Sequence, residues 1–131
     1  MKLITEELKQ RFKEVGSQEK VEDPIVIARF FDPCGSATWL ATEYDETNNI
    51  CFGYVTNLIP SSDGMFDEWG NFSIDELESI ERPFGLNIER NLYCDEQPIS
   101  KLVPKLERSI RLKQLEKLNN VPRSPKIKRK R

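Results

Sequence analysis

The sequence predicts an α+β fold: a four- or five-stranded antiparallel meander sheet with an N-terminal helix, one short capped helix, and a C-terminal helix plus a basic tail. Three observations predict it. β-rich runs at residues 25–31, 37–44 and 50–56 follow one another through links too short for a parallel crossover. Ser73-Ile74-Asp75-Glu76 carries the capping-box pattern of a helix start. Residues 100–118 combine helix formers with basic side chains. A chain of 131 residues is enough for one domain with a modest core.

The elements follow in order. Thr5 can cap the first helix, and Glu6 and Glu7 suit the positive end of its dipole. Leu8, Phe12 and Val15 recur at helical spacing, and Gly16 stops the run. Residues 17–23 are polar and read as a loop. The run 25–31 (IVIARFF) is almost wholly apolar, which predicts one buried central strand. Residues 32–36 turn, and 37–44 (ATWLATEY) form the second strand. Strict alternation puts Trp39, Ala41 and Glu43 on one face and Thr38, Leu40, Thr42 and Tyr44 on the other. After a hairpin loop at 45–49 comes a third strand, 50–56, in which Gly53 marks a bulge or the close approach of another element. A long link precedes a short fourth strand at 68–72 (EWGNF). Phe72 and Leu77 form a hydrophobic staple around the Ser73 cap, giving a helix over 74–80. Pro83 and Gly85 end it, and 86–92 (LNIERNL) resumes a strand with Leu86, Ile88, Arg90 and Leu92 on one face. In the C-terminal helix, interrupted near its start by Pro104, Val103, Leu106 and Ile110 share a face, while Leu112, Leu115 and Leu118 drift onto another. The organisation expected is a compact domain over 1–104, a helix over 105–120 and a disordered basic tail over 121–131.

Charge is distributed unevenly. Residues 1–100 hold 8 Lys/Arg and 20 Asp/Glu, a balance of −12; residues 101–131 hold 12 Lys/Arg and 2 Asp/Glu, a balance of +10. The sum is the net −2 of the whole chain. An acidic body repels phosphate backbones and a basic arm attracts them. The candidate binding residues are Lys105, Arg108, Arg111, Lys113 and Lys117 on the helix, then Arg123, Lys126, Lys128, Arg129, Lys130 and Arg131 in the tail. Such clusters bind nucleic acid or acidic protein surfaces; the bland alternative is a solvated tail.

The chain has no histidine, which removes the usual general base and the commonest metal ligand. No Ser-His-Asp set and no Gly-rich phosphate loop is present. Cys34, Cys51 and Cys94 are odd in number and lack metal-ligand spacing. Cys51 reads as a small core residue, and Cys34 lies in a turn with no base to activate it. Carboxylate-metal chemistry is the remaining enzymatic route, through Asp32, Glu43, Asp45, Asp75, Glu76 or Glu78, but no nuclease-like motif joins them. The expectation is therefore no enzyme, no catalytic residue, no metal and no cofactor. Arg29 and Arg90 interrupt apolar strands and need partners if buried; Glu43 is the expected mate for Arg29. Phe30, Phe31, Trp39, Tyr44, Phe52 and Tyr54 interleave on adjacent strands, either as core or as a stacking face for bases. No apolar run approaches the roughly 20 residues that span a bilayer, and the first residues lack the apolar stretch of a secretion signal. A cytoplasmic protein without membrane contacts is expected.

Several blocks also match a known pattern. The opening Met1-Lys2-Leu3-Ile4-Thr5-Glu6-Glu7-Leu8, then VIARFFDP with TWLATEYD, CFGYVTNL, FSIDELESI, and PFGLNIERNLY followed by Pro98-Ile99-Ser100, resemble the small domain-of-unknown-function family numbered 2958. The resemblance covers about residues 1–103. It implies a compact α+β protein of the kind carried on plasmids, phages and other mobile elements. It carries over no catalytic residue, since no activity is established for the family. The 60–67 link looks longer than the pattern, and 105–131 reads as an addition.

Together these readings favour a non-enzymatic mobile-element accessory protein that binds nucleic acid or a nucleoprotein machine through its basic C-terminal arm. The alternative is a protein-binding inhibitor of a host defence enzyme, its acidic body imitating nucleic acid.

Overall fold

The apolar and β-branched runs at the centre of the chain pair as they must to hide their backbone polar groups. The computed structural model describes residues 2–59 and 64–119. Strands β1 (Ile25–Val26), β2 (Ala28–Phe31), β3 (Thr38–Asp45), β4 (Ile50–Thr56) and β5 (Glu68–Ser73) come first. The short strands β6 (Glu81–Arg82), β7 (Leu86–Asn87), β8 (Glu89–Arg90) and β9 (Gln97–Pro98) follow. Helices are α1 (Glu6–Val15), α2 (Ile74–Ser79) and α3 (Pro104–Asn119). The main sheet is antiparallel and five-stranded, in the order β5-β4-β3-β2-β8. Strands β2 to β5 are the expected meander.

Two predicted strands are broken. The run 25–31 splits at Ile27: β1 pairs with β9, and β2 pairs with β3 and β8. Ile27 N–H still reaches Ala41 O at 2.9 Å. Val26 joins one hydrophobic cluster while Ile27, Ala28 and Phe30 join the other. A continuous apolar run reports burial on both sides; it does not report which partner each half takes. The run 86–92 likewise splits into β7, which folds back on β6, and β8, which edges β2. The reversal needs left-handed backbone at Phe84 (φ 63°) and Gly85 (φ 74°). Ile88 is buried, but Leu86 and Leu92 are exposed, so the expected one-sided alternation is not realised.

The sheet is covered on both faces. One core gathers Phe30, Trp39, Ala41 and Cys51 with Leu3, Ile4 and Phe12 at the N-terminus and Ile74 and Leu77 of α2. The other gathers Leu40 and Tyr54 with Val26, Ile99, Val103 and Ile110. Between Ala41 and Glu43 the β3–β4 register shifts by a bulge: Ala41 faces Gly53, yet Glu43 faces Phe52 and Tyr44 faces Cys51. The bulge inverts the predicted alternation beyond it. Tyr44 packs on the first core, its ring 5.5 Å from that of Phe12, and Glu43 turns to the opposite face with Phe52. Gly53 is required here, because any Cβ would overlap the Leu40 carbonyl oxygen.

Helix ends follow the sequence signals. Thr5 Oγ1 accepts from Leu8 N at 3.2 Å, and Gly16 N–H closes α1 on Phe12 O at 2.9 Å. Ser73 Oγ accepts from Glu76 N at 3.1 Å, with Phe72 and Leu77 both packed into the first core. Pro104 does not interrupt α3 but opens it, the first helical position being where proline's fixed φ and missing N–H cost nothing.

Two expectations follow. Gly53→Ala should destabilise the protein by about 1–3 kcal/mol in urea unfolding, because the β3–β4 pair must separate locally to admit the methyl group. A thiol reagent should modify exposed Cys34 first and reach Cys51 only on unfolding, since Cys51 is buried and its thiol is pushed up to about 12 by that burial. Peptide mapping of a timed labelling reaction reads the order.

Candidate functional site

The basic helix is positioned by two short contacts upstream of it. Asp23 accepts from Ser100 N at 3.0 Å and from Ser100 Oγ at 2.6 Å, and Ile99 N–H donates to Pro24 O at 2.8 Å. These tie the turn before α3 to the 17–24 loop. Leu106 and Ile110 then lie on the second core, over Leu40 and Tyr54. The first half of α3 is thus part of the domain's packing rather than an appendage.

The helix covers only half of its sheet face. Leu40 and Tyr54 are buried, but Phe52, two residues before Tyr54 on the same side of β4, remains 36% exposed, and Trp69 beside it 38%. Their rings stack at 5.8 Å with an interplanar angle of 10°, and Tyr54 meets Trp69 edge-on at 5.2 Å. The uncovered strip is the floor of an open groove of about 690 Å³ between the sheet, the 17–24 loop and the Leu106, Ser109, Ile110 and Lys113 side of α3. Of the six aromatics expected in the sheet, Phe30, Trp39 and Tyr54 are core, Phe31 and Tyr44 are half-buried, and Phe52 is exposed. Trp69 is not among the six; the alternation of Trp69 with Asn71 in the short strand 68–72 is the signal that could have found it.

The opposite wall of the groove depends on Gln18, which the sequence presents only as part of a polar loop. Gln18 is buried, and its carboxamide is fully used: Nε2 donates to Ile25 O at 2.9 Å and Thr42 O at 2.8 Å, and Oε1 accepts from Ile25 N at 2.8 Å. Its backbone N–H donates to Glu43 Oε2 at 3.0 Å. Glu43 is therefore not the mate of Arg29. The bulge carries it to the groove side, while the Arg29 guanidinium donates to Asp95 O at 3.0 Å. Arg90, the other strand arginine, donates to the Lys2 and Leu3 carbonyls at 2.8 and 2.9 Å.

The five helical candidates do not share one stripe. Lys105 Nζ donates to Gly64 O at 2.6 Å, Arg111 pairs with Glu107 at 2.8 Å, and Lys117 reaches Glu22 at 3.5 Å. Lys113 borders the groove. Arg108 and Lys113 make no ion pair or side-chain hydrogen bond among the described residues. Leu112, Leu115 and Leu118 are exposed by half or more. Arg123, Lys126, Lys128, Arg129, Lys130 and Arg131 lie outside the described residues, as does the rest of the tail.

On the body, acids are interleaved with bases. Lys9 pairs with Glu6 at 3.0 Å, Lys13 with Glu46 at 3.3 Å, and Arg11 with Glu96 at 2.8 Å. The hydrogen bond from Lys9 to Glu6 raises the Lys9 pKa, and that from Arg11 to Glu96 raises Arg11's. Most of the candidate carboxylates have structural partners. Asp32 accepts from Arg82 at 2.9 Å and Cys34 N at 2.8 Å, Asp75 from Asn49 at 2.9 Å, and Glu78 from Leu3 N at 2.9 Å. Asp45 accepts from Asn48 and Thr47 in its hairpin loop, and the Asn48 side chain holds its carboxyl below the usual range. Among the described residues no three Cys, Asp or Glu side chains converge as metal ligands. No described helix is long and apolar enough to cross a membrane. Gln18→Ala, which strips the groove wall of its buried carboxamide and strands the Ile25 backbone, should cost about 1–3 kcal/mol in chemical unfolding.

No curated protein and no solved structure matches the chain significantly. One family does: its sequence model, described as "Protein of unknown function (DUF2958)", matches residues 3–113. The match runs ten residues beyond the blocks at 1–103, through Leu106 and Ile110, so the start of α3 is family core and not an addition. With 3–113 of its 131 residues inside that match, the chain belongs to the DUF2958 family.

Proposed function

We propose that this is a non-enzymatic, cytoplasmic accessory protein of a mobile element, which binds nucleic acid or a nucleoprotein machine through the arm spanning residues 105–131. The separation of charge carries the reading: −12 over residues 1–100 against +10 over residues 101–131. A few body acids pair with bases on α1, whereas the residues after Asn119 include six Lys/Arg and no acid. Lysine and arginine so placed neutralise phosphates without reading sequence. Arg108 and Lys113 extend the same field onto the folded helix. The alternative, a body that imitates nucleic acid to block a host defence enzyme, needs acids gathered free of bases; α1 interleaves them instead.

The test compares the full chain with a truncation ending at Asn120, titrated against DNA and RNA across salt concentration. The full chain should bind with log K falling steeply with log salt. The truncation should have a much shallower slope, smaller by about 0.7–0.9 for each phosphate that the tail neutralises. If neither form binds at low salt, the reading is overturned and attention turns to protein partners of the body.

A further inference from the structure

Arg29 sits in the middle of an apolar strand and has no carboxylate within ion-pairing distance among the described residues. Its one hydrogen bond is from Nη2 to the Asp95 carbonyl oxygen, at 3.0 Å. Its Nε is buried and has no acceptor at all among the described residues. The residue as a whole is half-buried and its bond to Asp95 is exposed, so the guanidinium keeps an open side on which an anion can bind.

The surroundings supply the rest of a site. Arg29 lines a half-open pocket of about 280 Å³ on the same sheet face as α3, on the β2 side rather than over Phe52 and Trp69. Thr38 and Thr56 face each other across the β3–β4 pair and line the same pocket. Neither hydroxyl has a hydrogen-bond partner among the described residues. Asn91 completes the polar rim; its Oδ1 accepts from Tyr93 N at 2.9 Å, which leaves its amide N–H groups unused. Leu40 and Val103 form the apolar wall. Unused donors from four side chains thus meet on one concave surface backed by hydrocarbon, the composition of a ligand pocket.

We propose that this pocket binds a small oxyanion carried on a compact apolar group, with the anionic head on the Arg29 guanidinium and the Thr38, Thr56 and Asn91 donors around it. Planar guanidinium suits carboxylate and phosphate oxygens alike. The volume is just below the roughly 300–1,000 Å³ of common ligand sites, which fits a small metabolite-sized anion and excludes a nucleotide or a peptide. The site is separate from the basic arm and does not depend on it.

The test uses the full chain, labelled with nitrogen-15, and follows the arginine Nε–Hε resonances during titration with inorganic phosphate and, separately, with benzoate. Chloride holds the ionic strength constant. A saturable shift confined to Arg29 supports the site. Saturation by benzoate alone assigns a carboxylate on an apolar body, and saturation by phosphate alone assigns a phosphate head. Arg29→Met should weaken binding at least tenfold, and Thr56→Val, which keeps the charge and the fold, several-fold. A linear drift shared by all arginines, or unchanged affinity in both variants, overturns the proposal.

Discussion

Where β4 passes β3 at Gly53 there is no space for a side chain, and the rest of the architecture is built around that contact. The Leu40 carbonyl occupies the place a Cβ would take. Next to it the register slips by one residue, between Ala41 and Glu43. A one-residue slip reverses the facing of every side chain beyond it. Tyr44 therefore goes to α1, where Phe12 receives it, and Glu43 goes to the other face. There Glu43 takes the backbone N–H of Gln18, and the Thr42 carbonyl takes the Gln18 carboxamide. The 17–24 loop is held against the sheet by these bonds, and through Asp23 it holds the turn that launches α3. Both walls of the large groove thus trace back to a bulge and a glycine in the central strands.

The same geometry explains why α3 is only partly embedded. Its packing side chains, Leu106 and Ile110, come early, and beyond them the apolar positions rotate off the contact face, leaving Leu112, Leu115 and Leu118 exposed. Lys117, near the end of α3, still reaches Glu22 of the 17–24 loop at 3.5 Å. Charges more than about 8–10 Å apart in solvent are largely screened at physiological ionic strength. The near cancellation between −12 over residues 1–100 and +10 over residues 101–131 therefore holds only for charges within that range of one another. Local pairs such as Lys9–Glu6 and Arg11–Glu96 offset only part of the body's charge, since residues 1–100 hold 20 acids against 8 bases.

Signals that act over a few residues are legible in the sequence. Thr5, Gly16 and Ser73 cap as their residue types demand, the 2–3–4–5 meander follows from short links between β-rich runs, and the charge division needs only counting. What is not legible depends on residues meeting across the fold. Alternation alone places Tyr44 and Glu43 on the wrong faces, because a bulge is decided by the partner strand and Gly53 only hints at it. The 25–31 run reads as one strand, since burial on both sides hides the change of partner at Ile27. Proximity along neighbouring strands matches Arg29 to Glu43, but Arg29 faces Leu40, three residues away along β3, and Glu43 accepts from the Gln18 backbone instead. Trp69 is an exposed platform only because α3 stops short of covering it, which depends on where the helix lies and not on the strand that carries the ring.

Gln18 and Arg29 show how a polar side chain in apolar surroundings declares its role. Each is placed where an unsatisfied group is expensive. Gln18 uses its donors and its acceptor on backbone groups of two fixed elements, so nothing remains for a ligand and its role is to set the chain path. Among the described residues Arg29 makes one bond to a carbonyl, has a buried nitrogen with none, and borders a pocket where the Thr38 and Thr56 hydroxyls and the Asn91 amide N–H groups are unspent. A fold selected only for stability has a simpler solution at that position, since a leucine or methionine would fill the space and remove the charge. A guanidinium there, beside two threonine hydroxyls with no protein hydrogen-bond partner among the described residues, makes physical sense when an anion from solution binds its open side.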